Sequence, residues 1–121
     1  MHKSDLEQRL ISFSVLIIEI TNDIPNNRVG NHLAGQLIRS GTSPALNYGE
    51  AQSAESRKDF IHKIKIVLKE LRETFICLKI IKRAKLYGTE KKIINALIEN
   101  DELISIFVKS SETAQKNIDR L

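Results

Sequence analysis

Apolar residues recur along the chain at alternating steps of three and four, which is the spacing of a packed helix face. The first such series runs from Leu6 through Phe13 to Ile24. Ser4, followed three residues later by Glu7, has the pattern of a capping box. Polar turns between the series divide the chain into four predicted helices, at about residues 4–23, 27–54, 56–86 and 89–118.

The second predicted helix contains a residue that opposes helix formation. Pro44 lacks a backbone N–H, and in a helix its ring clashes with the carbonyl of Ser40. We therefore expect a kink between Gly41 and Pro44 rather than a stop. Two short helices with a break at that point are the alternative.

The third and fourth predicted helices have recognisable ends. Ser56, followed three residues later by Asp59, repeats the pattern of Ser4 and Glu7 and is predicted to start the third helix. Tyr87 and Gly88 are predicted to end it. Thr89 then caps the fourth helix.

The pattern predicts an all-α fold, arranged as an antiparallel up-down four-helix bundle, because short turns place consecutive helices side by side. No strand-like alternation competes with it. The chain of 121 residues has the length of a single domain. The inward stripes predict a core of large apolar residues: Phe13, Ile17, Leu37, Ile64, Leu71, Leu78, Leu97, Ile104 and Phe107.

Two of the predicted helices are apolar over more than one stripe. The first adds Ile11, Val15 and Ile18 to its main face, and the fourth adds a row that contains Ile94 and Ile98. A monomeric bundle needs only one stripe per helix, so the surplus indicates a homo-oligomer with an apolar subunit interface. A wide face turned to the core of a single bundle is the alternative.

Composition excludes several classes of protein. Only two prolines and five glycines occur, and 28% of the residues are charged, which excludes a disordered or collagen-like chain. No apolar run exceeds four residues, so we expect neither a membrane-spanning helix nor a membrane partner. Cys77 is the single cysteine and has no partner for an internal disulfide. This favours a cytoplasmic location.

No motif for catalysis or metal binding is found along the chain. Gly30 and Gly35 are followed by Gln36, where a phosphate-binding loop would place its lysine. The three histidines lack the spacing of metal ligands, and Cys77 is interpreted as a packed side chain. We therefore expect no metal, no cofactor and no enzymatic activity.

Positive charge is concentrated in the third predicted helix. Residues 56–88 carry ten basic and three acidic side chains, whereas the whole chain has a net charge of only +4. Basic residues spaced by sevens share one strip of a helix, which drifts by about 20° at each step. Four residues have this spacing: Lys58, Lys65, Arg72 and Lys79. Arg83 continues the strip, and Lys69 and Lys82 flank it. We call these seven residues the basic stripe.

The basic stripe suits contact with the phosphate backbone of RNA or DNA, because such contact needs charge and spacing but no base-reading geometry. The chain has no tryptophan, and Phe60 and Phe75 are interpreted as core residues. We therefore expect binding to structured RNA or duplex with weak sequence preference. The alternative is a solvated helix face on a structural or protein-interaction scaffold.

A group of polar residues lies close to the apolar stripes of the second and third predicted helices: Arg39, Asn47, Glu50 and Glu70. Long polar side chains near a bundle seam usually pair, because an unpaired buried charge costs several kcal/mol. We interpret this group as an inter-helix network that holds the helix register. A binding site is the alternative, and spacing does not show which residues pair.

Three short motifs carry a resemblance to a known family. They are Gln-Leu-x-Arg-Ser from residue 36, Asn-Tyr-x-Glu-Ala from residue 47 and Lys-Asp-Phe-Ile from residue 58. With these motifs, the chain resembles the bacterial four-helix-bundle proteins that are encoded in intervening sequences of 23S ribosomal RNA genes. It departs from many relatives at Ile76-Cys77-Leu78, where they carry an aromatic residue before the leucine.

The resemblance implies a left-handed up-down bundle that assembles into a homopentameric ring. The similar accessory protein of diversity-generating retroelements forms a basic pentameric barrel that binds RNA and a reverse transcriptase. RNA and a reverse transcriptase-like protein are therefore implied partners. No catalytic activity is attached to the family, and its link to ribosomal RNA comes from gene location.

Overall fold

The computed structural model describes residues 2–120. These residues form four α-helices and no strand: α1 (Lys3–Asn22), α2 (Arg28–Ala51), α3 (Arg57–Arg83) and α4 (Glu90–Asp119). The predicted all-α, four-helix class is confirmed. Over the same residues, no helix is both long and apolar enough to cross a membrane.

Each helix packs against its neighbours in the chain, and α1 and α4 meet to close the arrangement. Ser40 of α2 contacts Thr74 of α3, and Glu50, ten residues further along α2, contacts Lys63, eleven residues earlier on α3. The two helices therefore run antiparallel. The contact between α1 and α4 is the least extensive of the four.

The start of α1 differs from the prediction. The helix begins at Lys3, and the imidazole Nδ1 of His2, rather than Ser4, accepts a hydrogen bond from the first turn. The donor is the backbone N–H of Ser4 itself, 3.3 Å away. Ser4 already lies inside the helix, where its hydroxyl meets the same imidazole at 3.0 Å. The capping box expected at Ser4 and Glu7 is therefore wrong.

α2 is one continuous helix through Pro44, so the alternative of two short helices is wrong. Its first turn is capped by Asn27, whose Oδ1 accepts a hydrogen bond from Gly30 N at 2.8 Å. Gly41 lies where α2 crosses α1, and a Cβ there would be 2.7 Å from Ile17 Cγ2. A residue without a side chain is therefore required for this close approach.

α3 ends at Arg83, three residues before the predicted end near residue 86. Lys85, in the left-handed region at φ 57°, terminates the helix. The backbone N–H of Leu86 donates to the carbonyl of Ile81, and that of Lys85 donates to the carbonyl of Lys82. This pair of bonds is a Schellman motif, formed here by a lysine rather than by Gly88.

The core agrees with the predicted inward stripes except on α4. Seven of the nine predicted core residues are buried, whereas Leu97 and Ile104 are half-buried. Their places in the core are taken by Ala96 and Leu103. Ile93 and Phe107 belong to both the predicted and the observed buried face of α4. The helix is therefore rotated slightly about its axis from the predicted orientation.

Among residues 2–120, two fully buried side-chain hydrogen bonds join neighbouring helices. The hydroxyls of Ser40 and Thr74 are hydrogen-bonded at 2.9 Å between α2 and α3. The side-chain amide of Asn100 donates to the backbone carbonyl of Leu71 at 3.0 Å, which joins α4 to α3. Because buried polar groups need partners, these bonds favour one axial alignment of the helices over any slipped one.

Leu71→Ala is expected to lower the free energy of unfolding by about 2–5 kcal/mol, because the side chain is fully buried on the α3 seam. Urea denaturation followed by circular dichroism measures the change. Leu46→Ala is the matched control, since Leu46 is 69% exposed and a surface change stays within about 0.5 kcal/mol. A cost near zero for Leu71→Ala would contradict the observed orientation of α3.

Candidate nucleic-acid interface

The basic stripe lies on α3 away from its buried seam. The seam residues Ile64, Leu71 and Leu78 are fully buried, and the helical period therefore directs the cationic positions elsewhere. Lys79 and Lys82 are half-buried. The rest of the stripe is exposed, namely Lys58, Lys65, Lys69, Arg72 and Arg83.

The cations of the basic stripe form no ion pair among the described residues. Within residues 2–120, no stripe residue has a carboxylate oxygen within 4.0 Å. Lys63, on the same helix but outside the stripe, contrasts with them because its Nζ lies 2.9 Å from Glu50 Oε2. The stripe therefore contributes positive charge to this surface of α3, although Glu70 and Glu73 lie next to Lys69 and Arg72 along the helix.

One stripe residue is held in place by an aromatic ring. The ammonium of Lys79 lies 4.4 Å from the ring centroid of Phe75, in a cation–π contact. Phe75 is half-buried, as is Phe60. Phe75 thus supports a cation of the stripe.

The polar group expected between helices two and three separates into three ion pairs and a local contact. Arg39 lies 3.5 Å from Glu70 and 3.4 Å from Glu73, and Glu50 pairs with Lys63. Asn47 instead donates to the carbonyl of Ser43 within α2. The structure therefore brings Arg39 and Glu70 together but leaves Asn47 and Glu50 outside that cluster.

Glu70 occupies the most perturbed position of this cluster. Burial, together with the neighbouring carboxylate of Glu73, raises the pKa of Glu70, and Arg39 opposes the rise only in part. Its Oε2 is buried without a hydrogen bond among the described residues, although Arg39 lies 3.5 Å away. Glu70 therefore keeps its proton to a higher pH than an exposed glutamate does.

An ion-pair cluster between α1 and α4 has no counterpart in the predictions. The guanidinium of Arg9 donates to the carboxylates of Glu99 and Glu102, and the bond to Glu99 raises the pKa of Arg9. No sequence motif marks a contact between residues so far apart in the chain. The cluster joins the two helices with the least extensive packing.

A groove lies along the outer side of α3, next to the basic stripe. It has a volume of about 880 Å³, is walled on one side by α2 and reaches Ser111 of α4. Lys65, Lys69 and Arg72 belong to both the stripe and the groove. Cys77 also lines it, and burial raises the pKa of this thiol, which disfavours the reactive thiolate.

No group of three or more His, Cys, Asp or Glu side chains within residues 2–120 is arranged to hold an ion.

Comparison with known proteins gives a family and a fold. A family model described as 23S rRNA-intervening sequence protein matches residues 2–109. The chain is similar to a crystal structure at 1.70 Å of a protein with unknown function from the S23 ribosomal protein family, from Bacteroides thetaiotaomicron VPI-5482. The TM-score is 0.82 at 28% identity, over 93% of this chain and 99% of that one. No curated protein matches the chain.

Glu70→Gln is expected to change how stability depends on pH. The raised pKa means that the folded state binds more protons than the unfolded state above pH 4.5, the ordinary value for this group. Stability therefore falls as the pH rises from the unfolded towards the folded pKa. A glutamine cannot ionise, so the variant gains stability relative to the wild type as the pH rises from 4 to 7.

Urea unfolding at several pH values measures this difference. Glu112→Gln is the control, because Glu112 is exposed and forms no ion pair among the described residues. The difference in free energy of unfolding between Glu112→Gln and the wild type should change much less with pH. A constant difference between Glu70→Gln and the wild type would contradict the environment described for Glu70.

Proposed function

The chain belongs to the 23S rRNA-intervening sequence protein family, and we propose that it is a non-enzymatic accessory factor that binds the phosphate backbone of RNA. The observation that carries the proposal is the basic stripe of α3. Its seven cations lack carboxylate partners within residues 2–120, whereas Lys63 and Arg39, at the neighbouring seam, are paired.

The length and character of the stripe support backbone contact. From Lys58 to Arg83 the helix extends about 37 Å, which is enough to follow several successive phosphates. Contacts of this kind release condensed counterions, so the affinity falls steeply as salt increases. Because they read no base edges, they carry little sequence information. DNA duplex remains an alternative ligand of the same chemistry.

The proposal includes self-association into a homopentameric ring. Ile11, Val15 and Ile18 are each more than 40% exposed on α1, at positions i, i+4 and i+7, and Ile98 of α4 is 58% exposed. Exposed apolar strips of this kind favour a subunit interface. The number five comes from the resemblance, and a ring would repeat the basic stripe around one axis and strengthen its field.

A structural or protein-interaction scaffold is the second candidate function. The same exposed apolar residues favour it, because they would also suit a protein partner. A reverse transcriptase-like protein is a proposed partner by resemblance alone, and a cytoplasmic location is part of both proposals. RNA binding distinguishes the two candidates, since a scaffold needs none.

Reversing two charges of the stripe tests the RNA proposal. Lys65→Glu combined with Arg72→Glu should weaken RNA binding by at least about tenfold at low salt, because each lost phosphate contact removes counterion release. Electrophoretic mobility shift at low and moderate salt measures the affinity. Wild-type binding should itself weaken strongly at the higher salt concentration.

The matched control is Lys91→Glu combined with Lys109→Glu, two exposed lysines of α4 outside the stripe. It changes the net charge of the chain by the same amount and should have a much smaller effect. If both variants bind as tightly as the wild type, the stripe is a solvated face. If the wild type binds no RNA at low salt, the scaffold function is favoured.

Light scattering after size exclusion tests the oligomer. At micromolar concentration we expect a mass five times that of the 13.8 kDa chain. Ile11→Asp combined with Val15→Asp should shift the protein to smaller species, because burying carboxylates in an apolar interface is costly. A mass of one chain would exclude self-association, and a dimer or trimer would exclude the pentamer.

A further inference from the structure

The groove beside the basic stripe has the dimensions of a ligand site. Its volume of about 880 Å³ lies in the range of roughly 300–1,000 Å³ that small-molecule and cofactor sites occupy. Lys65 and Arg72 form part of its wall. A phosphate chain that follows the stripe would therefore pass the mouth of the groove.

The charges of the groove favour an anionic occupant. Four cationic side chains line it, namely Arg39, Lys65, Lys69 and Arg72, together with one carboxylate, Glu73. Arg39 is paired with Glu73 and Glu70. The three remaining cations have no carboxylate partner among the described residues, and they are available to phosphates.

The groove also has an apolar surface that phosphate binding does not require. Ile76 and Ile80 are 56% and 47% exposed, one helical turn apart on α3. Leu33, Leu68 and Cys77 extend this surface. An occupant that matches both features needs a negative charge next to an apolar group, and a nucleotide has both.

We propose that the groove binds unpaired bases of the RNA whose backbone follows the basic stripe. This inference rests on the proposed function. The bases pack on Ile76 and Ile80, while Lys65 and Arg72 hold the adjoining phosphates. Gln36 lies in the opposite wall on α2. Its Oε1 accepts a hydrogen bond from Arg39, and its amide N–H groups can donate to base edges.

Base insertion would give the protein a preference that phosphate contact alone lacks. In a continuous RNA duplex the bases are stacked and the major groove is deep and narrow, so α3 side chains cannot reach them. Bulges and loops present bases that can be splayed out. The groove therefore selects RNA with unpaired nucleotides over fully paired RNA.

The extent of the cations favours RNA over an acidic amphipathic helix as the occupant. Lys58, Lys79 and Arg83 continue the positive face along α3 beyond the groove, since none of them lines it. A polyanion that enters and leaves the groove uses these residues. A short acidic helix confined to the groove does not.

The test compares two RNAs of equal nucleotide number, one a continuous duplex and the other a duplex with a two-nucleotide bulge. Fluorescence anisotropy at low salt measures both affinities. The wild type should bind the bulged RNA about tenfold more tightly, because a base that packs on Ile76 and Ile80 removes apolar surface from water. Ile76→Gln combined with Ile80→Gln should abolish this preference and leave the affinity for the duplex unchanged, because the charges are kept.

The control is Ile38→Gln combined with Leu46→Gln, two exposed apolar residues of α2 that lie outside the groove and outside the proposed subunit interface. It should retain the preference for bulged RNA. Equal binding of both RNAs by the wild type, or a preference retained in the Ile76 and Ile80 variant, would overturn the inference while leaving the proposed function intact. No binding of either RNA would refute the proposed function as well.

A further experiment measures the binding of an acidic amphipathic peptide to the wild type and to the Ile76→Gln, Ile80→Gln variant. If RNA alone occupies the groove, the peptide should not distinguish the wild type from the Ile76→Gln, Ile80→Gln variant. If the peptide binds the wild type but not the variant, and the variant keeps its preference for bulged RNA, the groove is a protein-docking site and the inference is wrong.

Discussion

The inward seam of α3 is the constraint on which the rest of the structure depends. Its six residues follow steps of three and four, and all are fully buried: Ile64, Val67, Leu71, Thr74, Leu78 and Ile81. Because α3 packs against α2 on one side and α4 on the other, this seam determines which arc of the helix can remain in water. The cations between the seam positions are confined to that arc.

Polar contacts give the apolar core its alignment. Apolar packing is non-directional and tolerates small shifts along the helix axes, whereas a buried hydrogen bond is lost on shifting. Thr74 meets Ser40 of α2, and the carbonyl of Leu71 accepts from Asn100 of α4. α3 is thereby aligned with both neighbours through contacts only three residues apart.

The distribution of carboxylates then separates structural from exposed charge. Glu50, Glu70 and Glu73 lie along the contact between α2 and α3, where they pair with Lys63 and Arg39. No carboxylate of the described residues takes a similar place beside Lys65 or Arg72. The same helix therefore contributes a neutralised seam on one side and an uncompensated face beside it, which is the basis of the proposed RNA contact.

The sequence by itself determined the helical class, the number of helices and the residues of the basic stripe. These follow from the local spacing of apolar and basic residues and from the turn residues between the helices. Only the tertiary structure decided the orientation of α4. The row of Ile93 and Phe107 can be joined by Leu97 on one side or by Ala96 on the other, and the choice depends on where neighbouring helices lie. Arg9 with Glu99 and the groove beside α3 likewise arise from residues distant in the chain, whose approach no local pattern records.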